Sequence, residues 1–118
     1  MKKYLLFLIF STALNVAEVS QAQGVKIYAK ADCGDWIESR QAKTGMLLEN
    51  YLLGVLDGFS LGRNHPFWNY KPIEPSPAQV FLWMDNYCSK NPLSNVWLGA
   101  DELMNEHTEG TYRKKKKL

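Results

Sequence analysis

The stretch from Ser76 to Pro92 constrains the fold most, because it carries a whole helix with both of its ends. Ser76 suits the N-cap, Pro77 fits the first helical position, and Gln79 stands three residues after the cap, the spacing of a capping box. Pro92 stops the far end, and Lys90 in the last turn suits the negative pole of the helix dipole. At about 100° per residue, Val80, Phe81, Trp83, Met84, Tyr87 and Cys88 fall within an arc of about 160°. Gln79, Asp85, Asn86 and Ser89 take the other side. Such a helix has an apolar face with two aromatic anchors and a cysteine to bury, so the chain is expected to fold around it.

Three further helical patterns surround it. Asp32 is placed to cap a short helix to Arg40, with Cys33, Trp36 and Ile37 on one side. Thr44 to Gly62 is the longest pattern: Leu48, Leu52, Val55 and Phe59 form its stripe, flanked by Tyr51 and Leu56. Met46, Leu47, Leu53 and Leu61 lie elsewhere on it, so its polar strip is narrow and the helix is expected to be buried between neighbours. Gly54, Gly58 and Gly62 recur every four residues, each costing about 1 kcal/mol against alanine in a helix interior. Close helix–helix approach within the domain is the expected compensation, and a homodimer seam along the same stripe is the alternative. A last helix runs from Leu93 or Asn95 to His107, with Val96, Trp97, Ala100, Leu103 and Met104 inward, and Gly110 ends it. The fold class expected is all-α, a compact bundle of about four helices.

Between the second and third patterns, Arg63 to Pro75 holds three prolines and no period, which marks a long loop. Phe67, Trp68 and Tyr70 lie in it. They either fold back over the core or form a recognition surface; the partner-binding role is assigned to them here.

The first 22 residues have the parts of a secretory signal. Met1-Lys2-Lys3 is basic, Tyr4 to Leu14 is mostly apolar, and Ser20-Gln21-Ala22 is a small-x-small cleavage site. An apolar run of about eleven residues is too short to span a bilayer. The expected organisation is therefore a signal peptide (1–22) cleaved near Ala22, a helical domain (23–110) and a basic disordered tail (111–118), with a periplasmic location. Gly24 to Ala31 alternates weakly and reads as a short arm or lead-in.

Cys33 and Cys88 are the only cysteines and both lie beyond the signal. A redox pair or metal ligands are the competing readings, but neither Cys-x-x-Cys spacing nor clustered histidine accompanies them. A structural disulfide is expected, closing a loop of about 55 residues and contributing roughly 4 kcal/mol through the unfolded chain.

Charge is unevenly placed. Beyond residue 22 there are twelve basic and eleven acidic residues, and Arg113 to Lys117 hold five of the basic ones. The body is thus mildly acidic, which argues against a nucleic-acid-binding module. The lysine run reads as a solubilising tail; attraction to an acidic partner, anionic lipid or a wall polymer is the rival reading.

No catalytic constellation emerges, and no cofactor or metal is expected. His65 precedes a proline in the loop, and His107 falls on the inner side of the last helix. Asp57 and Asp85 lie on polar helix faces and read as solvated carboxylates. Leu82 and Leu98 fall on the polar sides of their helices, which suits surface anchors for another protein. The composition favours a binder over an enzyme.

Three segments carry a resemblance: Cys33-Gly34-Asp35-Trp36-Ile37 with Arg40; Tyr51-Leu52-Leu53-Gly54-Val55-Leu56-Asp57-Gly58-Phe59; and Phe81-Leu82-Trp83-Met84-Asp85-Asn86-Tyr87-Cys88 with Asn91-Pro92-Leu93. In order and spacing they resemble the Rap/Tai periplasmic immunity proteins of type VI secretion, small helical proteins that neutralise peptidoglycan amidase effectors. The likeness covers residues 33–104 and leaves out the loop Arg63–Pro75 and the lysine tail. It implies a helical fold, the Cys33–Cys88 bridge and a secreted cell-wall amidase as protein partner. The same pattern is loosely grouped with acid-stress chaperones of the Hde type. A periplasmic acid-stress chaperone is one alternative function, and an envelope-associated structural domain that uses the basic tail as a tether is the other.

Overall fold

The computed structural model describes residues 30–114. The expected signal peptide, the arm up to Ala29 and the lysines from Lys115 onward lie outside the described residues. Those described fold into five helices and no strand: α1 (Cys33–Gln41), α2 (Met46–Arg63), α3 (Pro77–Lys90), α4 (Val96–His107) and α5 (Thr111–Lys114).

The helix ends follow from local chemistry. Asp32 Oδ1 accepts from the Asp35 amide at 2.8 Å, and Asn95 Oδ1 accepts from the Leu98 amide at 2.9 Å. The capping box of α3 is complete: Ser76 Oγ accepts from the Gln79 amide, and Gln79 Oε1 accepts from the Ser76 amide. Both groups satisfy amide donors that have no partner within the helix. Asn64 ends α2 in the left-handed conformation, φ 46°, with the His65 amide bonding back to the Ser60 carbonyl.

α3 sits between α1 and α4, and α2 packs on the other side of α4. The Cys33–Cys88 disulfide clamps the start of α1 to the end of α3, with the Cα atoms 4.9 Å apart. Backbone bonds from Cys33 to Ser94 and from Val96 to Ala31 tie the starts of α1 and α4 together. The core comprises Trp36, Leu52, Leu56, Phe67, Val80, Met84, Val96, Ala100, Met104 and Tyr112 around the two cysteines. The inner faces expected of α3 and α4 are thus the ones that are buried.

Two expectations are corrected. The first concerns Gly54, Gly58 and Gly62, which all face outward. A Cβ on any of them would meet nothing within 4 Å, so they mediate no close approach among the described residues. The reason is that α2 packs mainly along one side, against α4 and α5. Its opposite face leaves Leu47 79% and Leu61 83% exposed, so the helix is not buried between neighbours. The close approach occurs instead at Gly99 of α4, where a Cβ would fall 2.7 Å from Met84 Sδ and 2.8 Å from Tyr87 Cδ1 of α3.

The second concerns the start of the tail. Thr111–Lys114 is helical, not disordered, because Tyr112 is fully buried against Phe59 and His65. The Arg63 guanidinium lies 4.3 Å from the Tyr112 ring centroid, and Arg113 pairs with Asp101 and Glu102 of α4. Glu109 and Gly110, both at positive φ, turn the chain so that this short helix docks. The domain therefore continues past Gly110.

Candidate functional site

Polar groups expected to face solvent turn out to fix the frame of the site. Asp85 accepts from the indole Nε1 of buried Trp36 at 2.8 Å and from Arg40 Nε and Nη2, each at 2.9 Å. Arg40 also reaches Glu49 of α2 at 2.6 Å, so one guanidinium joins three helices. The Asp85 hydrogen bond raises the Arg40 pKa above its ordinary value; burial opposes this and Glu49 adds to it. Asp57 likewise accepts from Trp68 Nε1 at 2.6 Å.

The proline-rich loop lies over the ends of α3 and α4. Its three aromatic residues, assigned together to partner binding, part company. Phe67 is buried, edge-on to Trp68 at 4.8 Å and 5.0 Å from the His107 ring, so it belongs to the core. That corrects its assignment: burying a phenylalanine releases more apolar area from water than a polar loop otherwise offers. Trp68 is half-buried and tied to α2 through Asp57. Tyr70 is also half-buried, and its ring lies 5.8 Å from those of both His65 and His107.

Beneath Tyr70 the loop leaves a cleft of about 370 Å³. Tyr70, Pro72, Ile73 and Pro75 form one wall, Val80 and Trp83 of α3 another, and Leu103, Glu106 and His107 of α4 a third. A cis Lys71–Pro72 peptide lies in the loop wall. The Phe67 and Tyr70 rings pack against His107, whose buried Nε2 has no hydrogen-bond partner among the described residues. His65, by contrast, is satisfied by Thr111 Oγ1 at 2.9 Å.

The cleft is apolar in its walls and acidic on one rim. Lys71 is paired with Glu74, and among the described residues Glu106 and Glu109 have no ion-pair partner. Glu106 Oε1 sits 3.4 Å from Trp83 Nε1. A second depression shares Trp83 and Glu106 and continues along Tyr87, whose ring stacks on Trp83 at 5.4 Å. Such a surface can receive an apolar group that carries positive charge. Among the described residues, no group of three or more His, Cys, Asp or Glu is arranged to hold a metal. No described helix is long and apolar enough to cross a membrane.

Periodicity placed Trp83 and His107 on inward faces but did not join them to Ile73, Glu106 and Glu109, since the loop that brings them together has no period. The proline run was the only signal that a wall stood there. Compared with protein-family models, curated proteins and solved structures, the chain has no match.

Proposed function

We propose that the protein is an exported binding protein that inhibits a peptidoglycan amidase delivered by type VI secretion. The resemblance over residues 33–104 supplies that reading, and the disulfide supports export, because such bonds persist in oxidising compartments. The observation that carries it is the open aromatic cleft under the proline-fixed loop. Ile73, 63% exposed, stands beside Tyr70 at its mouth. Inhibitor interfaces are anchored by such aromatic and aliphatic groups at a concave centre with a polar rim. Leu82 and Leu98 are also exposed and offer further apolar contacts.

The reading is tested with the oxidised protein and an amidase encoded beside its gene, by titration calorimetry and a wall-hydrolysis assay. Stoichiometric binding that stops hydrolysis is expected. Ile73→Asp, at an exposed residue of the mouth, is expected to weaken binding at least tenfold, about 1.4 kcal/mol, without shifting the melt. Unimpeded hydrolysis at saturating protein overturns the reading.

A further inference from the structure

We propose that the cleft receives a basic side chain, an arginine or lysine on an otherwise apolar segment of the protein partner. This rests on the reading that the cleft is the partner-facing surface. Three observations converge on it.

The first is charge. α4 carries Asp101, Glu102 and Glu106 and neither lysine nor arginine. Arg113 answers Asp101 and Glu102, whereas Glu106 and Glu109 at the cleft have no ion-pair partner among the described residues. The one basic residue in the lining, Lys71, is held by Glu74. The mouth is therefore acidic where an incoming group would pass.

The second is the walls. Tyr70 and Trp83 line the cleft with aromatic rings, and a cation over an aromatic face is attracted by the ring quadrupole, more strongly when water is excluded. The molecule already uses this pairing, with Arg40 5.9 Å from Trp36 and Arg63 4.3 Å from Tyr112. The third is His107, which lines the cleft and whose buried Nε2 has no hydrogen-bond partner among the described residues. A neutral imidazole nitrogen can accept an N–H, and a guanidinium offers five. The volume of about 370 Å³ suits one long side chain with an apolar neighbour, not a helix.

The test uses the full disulfide-bonded chain, labelled with ¹⁵N and titrated with the blocked peptide Ala-Leu-Arg-Leu-Ala. The same peptide with citrulline, which keeps the shape and loses the charge, is the control. Saturable shifts of the Trp83 indole signal are expected, with the arginine peptide binding at least fivefold tighter. That preference should shrink between about 50 and 300 mM salt and vanish in Glu106→Gln/Glu109→Gln. The single change Glu109→Gln, at an exposed residue, should lower it by itself. Equal binding of the two peptides, or a preference unchanged in both variants, overturns the proposal. So does binding of dodecyltrimethylammonium at this site without binding of the arginine peptide, since the site would then serve a small cationic amphiphile.

The amidase assay separates the two readings. An amidase that binds the Glu106→Gln/Glu109→Gln variant unchanged leaves the inhibitor function standing and removes the basic side chain. Arginine-selective peptide binding without amidase inhibition does the reverse.

Discussion

At the scale of single residues, the greatest leverage belongs to Asp85, an acceptor on a helix face that periodicity assigns to water. Its two oxygens serve a fully buried indole and a guanidinium shared with α2. Asp85→Ala strands the Trp36 N–H in the core, at about 1–3 kcal/mol for an unsatisfied buried donor. Loss of the Arg40 contacts adds less, because that pair is partly exposed and screened. A total of roughly 2–3 kcal/mol is expected in urea unfolding, against under about 1 kcal/mol for Asp57→Ala, whose partner Trp68 is only half-buried. Equal effects at the two sites would show that the shared guanidinium does not organise the frame.

Tyr112 supplies the alkaline counterpart. Burial is the largest cause raising its phenol pKa, and the nearby Arg63 charge opposes it. The folded state thus holds this proton to higher pH than the unfolded chain does. The associated stability is complete below the ordinary phenol value of about 10 and is lost as pH rises through the raised one. Tyr51, also raised by burial, acts in the same direction. Stability is expected to fall as pH rises above about 10, and Tyr112→Phe should flatten part of that fall in denaturant titrations at each pH.

At the scale of elements, the glycines separate a steric requirement from a helical-propensity cost. Gly54 and Gly58 sit in the interior of α2 with open space beside them. Alanine at either position is expected to stabilise the isolated domain by roughly 0.5–1 kcal/mol, since only backbone freedom is lost from the unfolded chain. Gly99→Ala should do the opposite, by about 1–3 kcal/mol, because its Cβ would overlap Met84 and the Tyr87 ring where α3 crosses α4. Thermal melts of the three single variants check the opposed signs. Spacing alone pointed to the wrong glycines, because a four-residue repeat records which residues share a face but not whether that face meets anything. α5 makes the same point. Its four residues are too few for a periodic signal, and a buried tyrosine holds them in place.

At the scale of the whole molecule, the bridge between Cys33 and Cys88 joins residues 55 apart and fastens α1, the shortest of the helices that flank α3, to the rest. Constraining a loop of that length stabilises by about 4 kcal/mol on the chain-entropy model, a large part of the 5–15 kcal/mol typical of a domain. Reduction, or Cys33→Ser with Cys88→Ser, is therefore expected to lower Tm by roughly 20 °C. A fall of under about 5 °C would show that packing alone holds α1. By itself the sequence determined the caps, the apolar faces of α3 and α4 and the pairing of the cysteines. Those follow from short-range rules: which side chain can reach which amide, which positions share a face, and how two cysteines can pair. Only the tertiary structure decided which glycine lies in a contact, which carboxylate is bonded, and that an aperiodic loop closes a cleft over Trp83 and His107. Those outcomes depend on what another part of the chain brings alongside, and no local spacing encodes it.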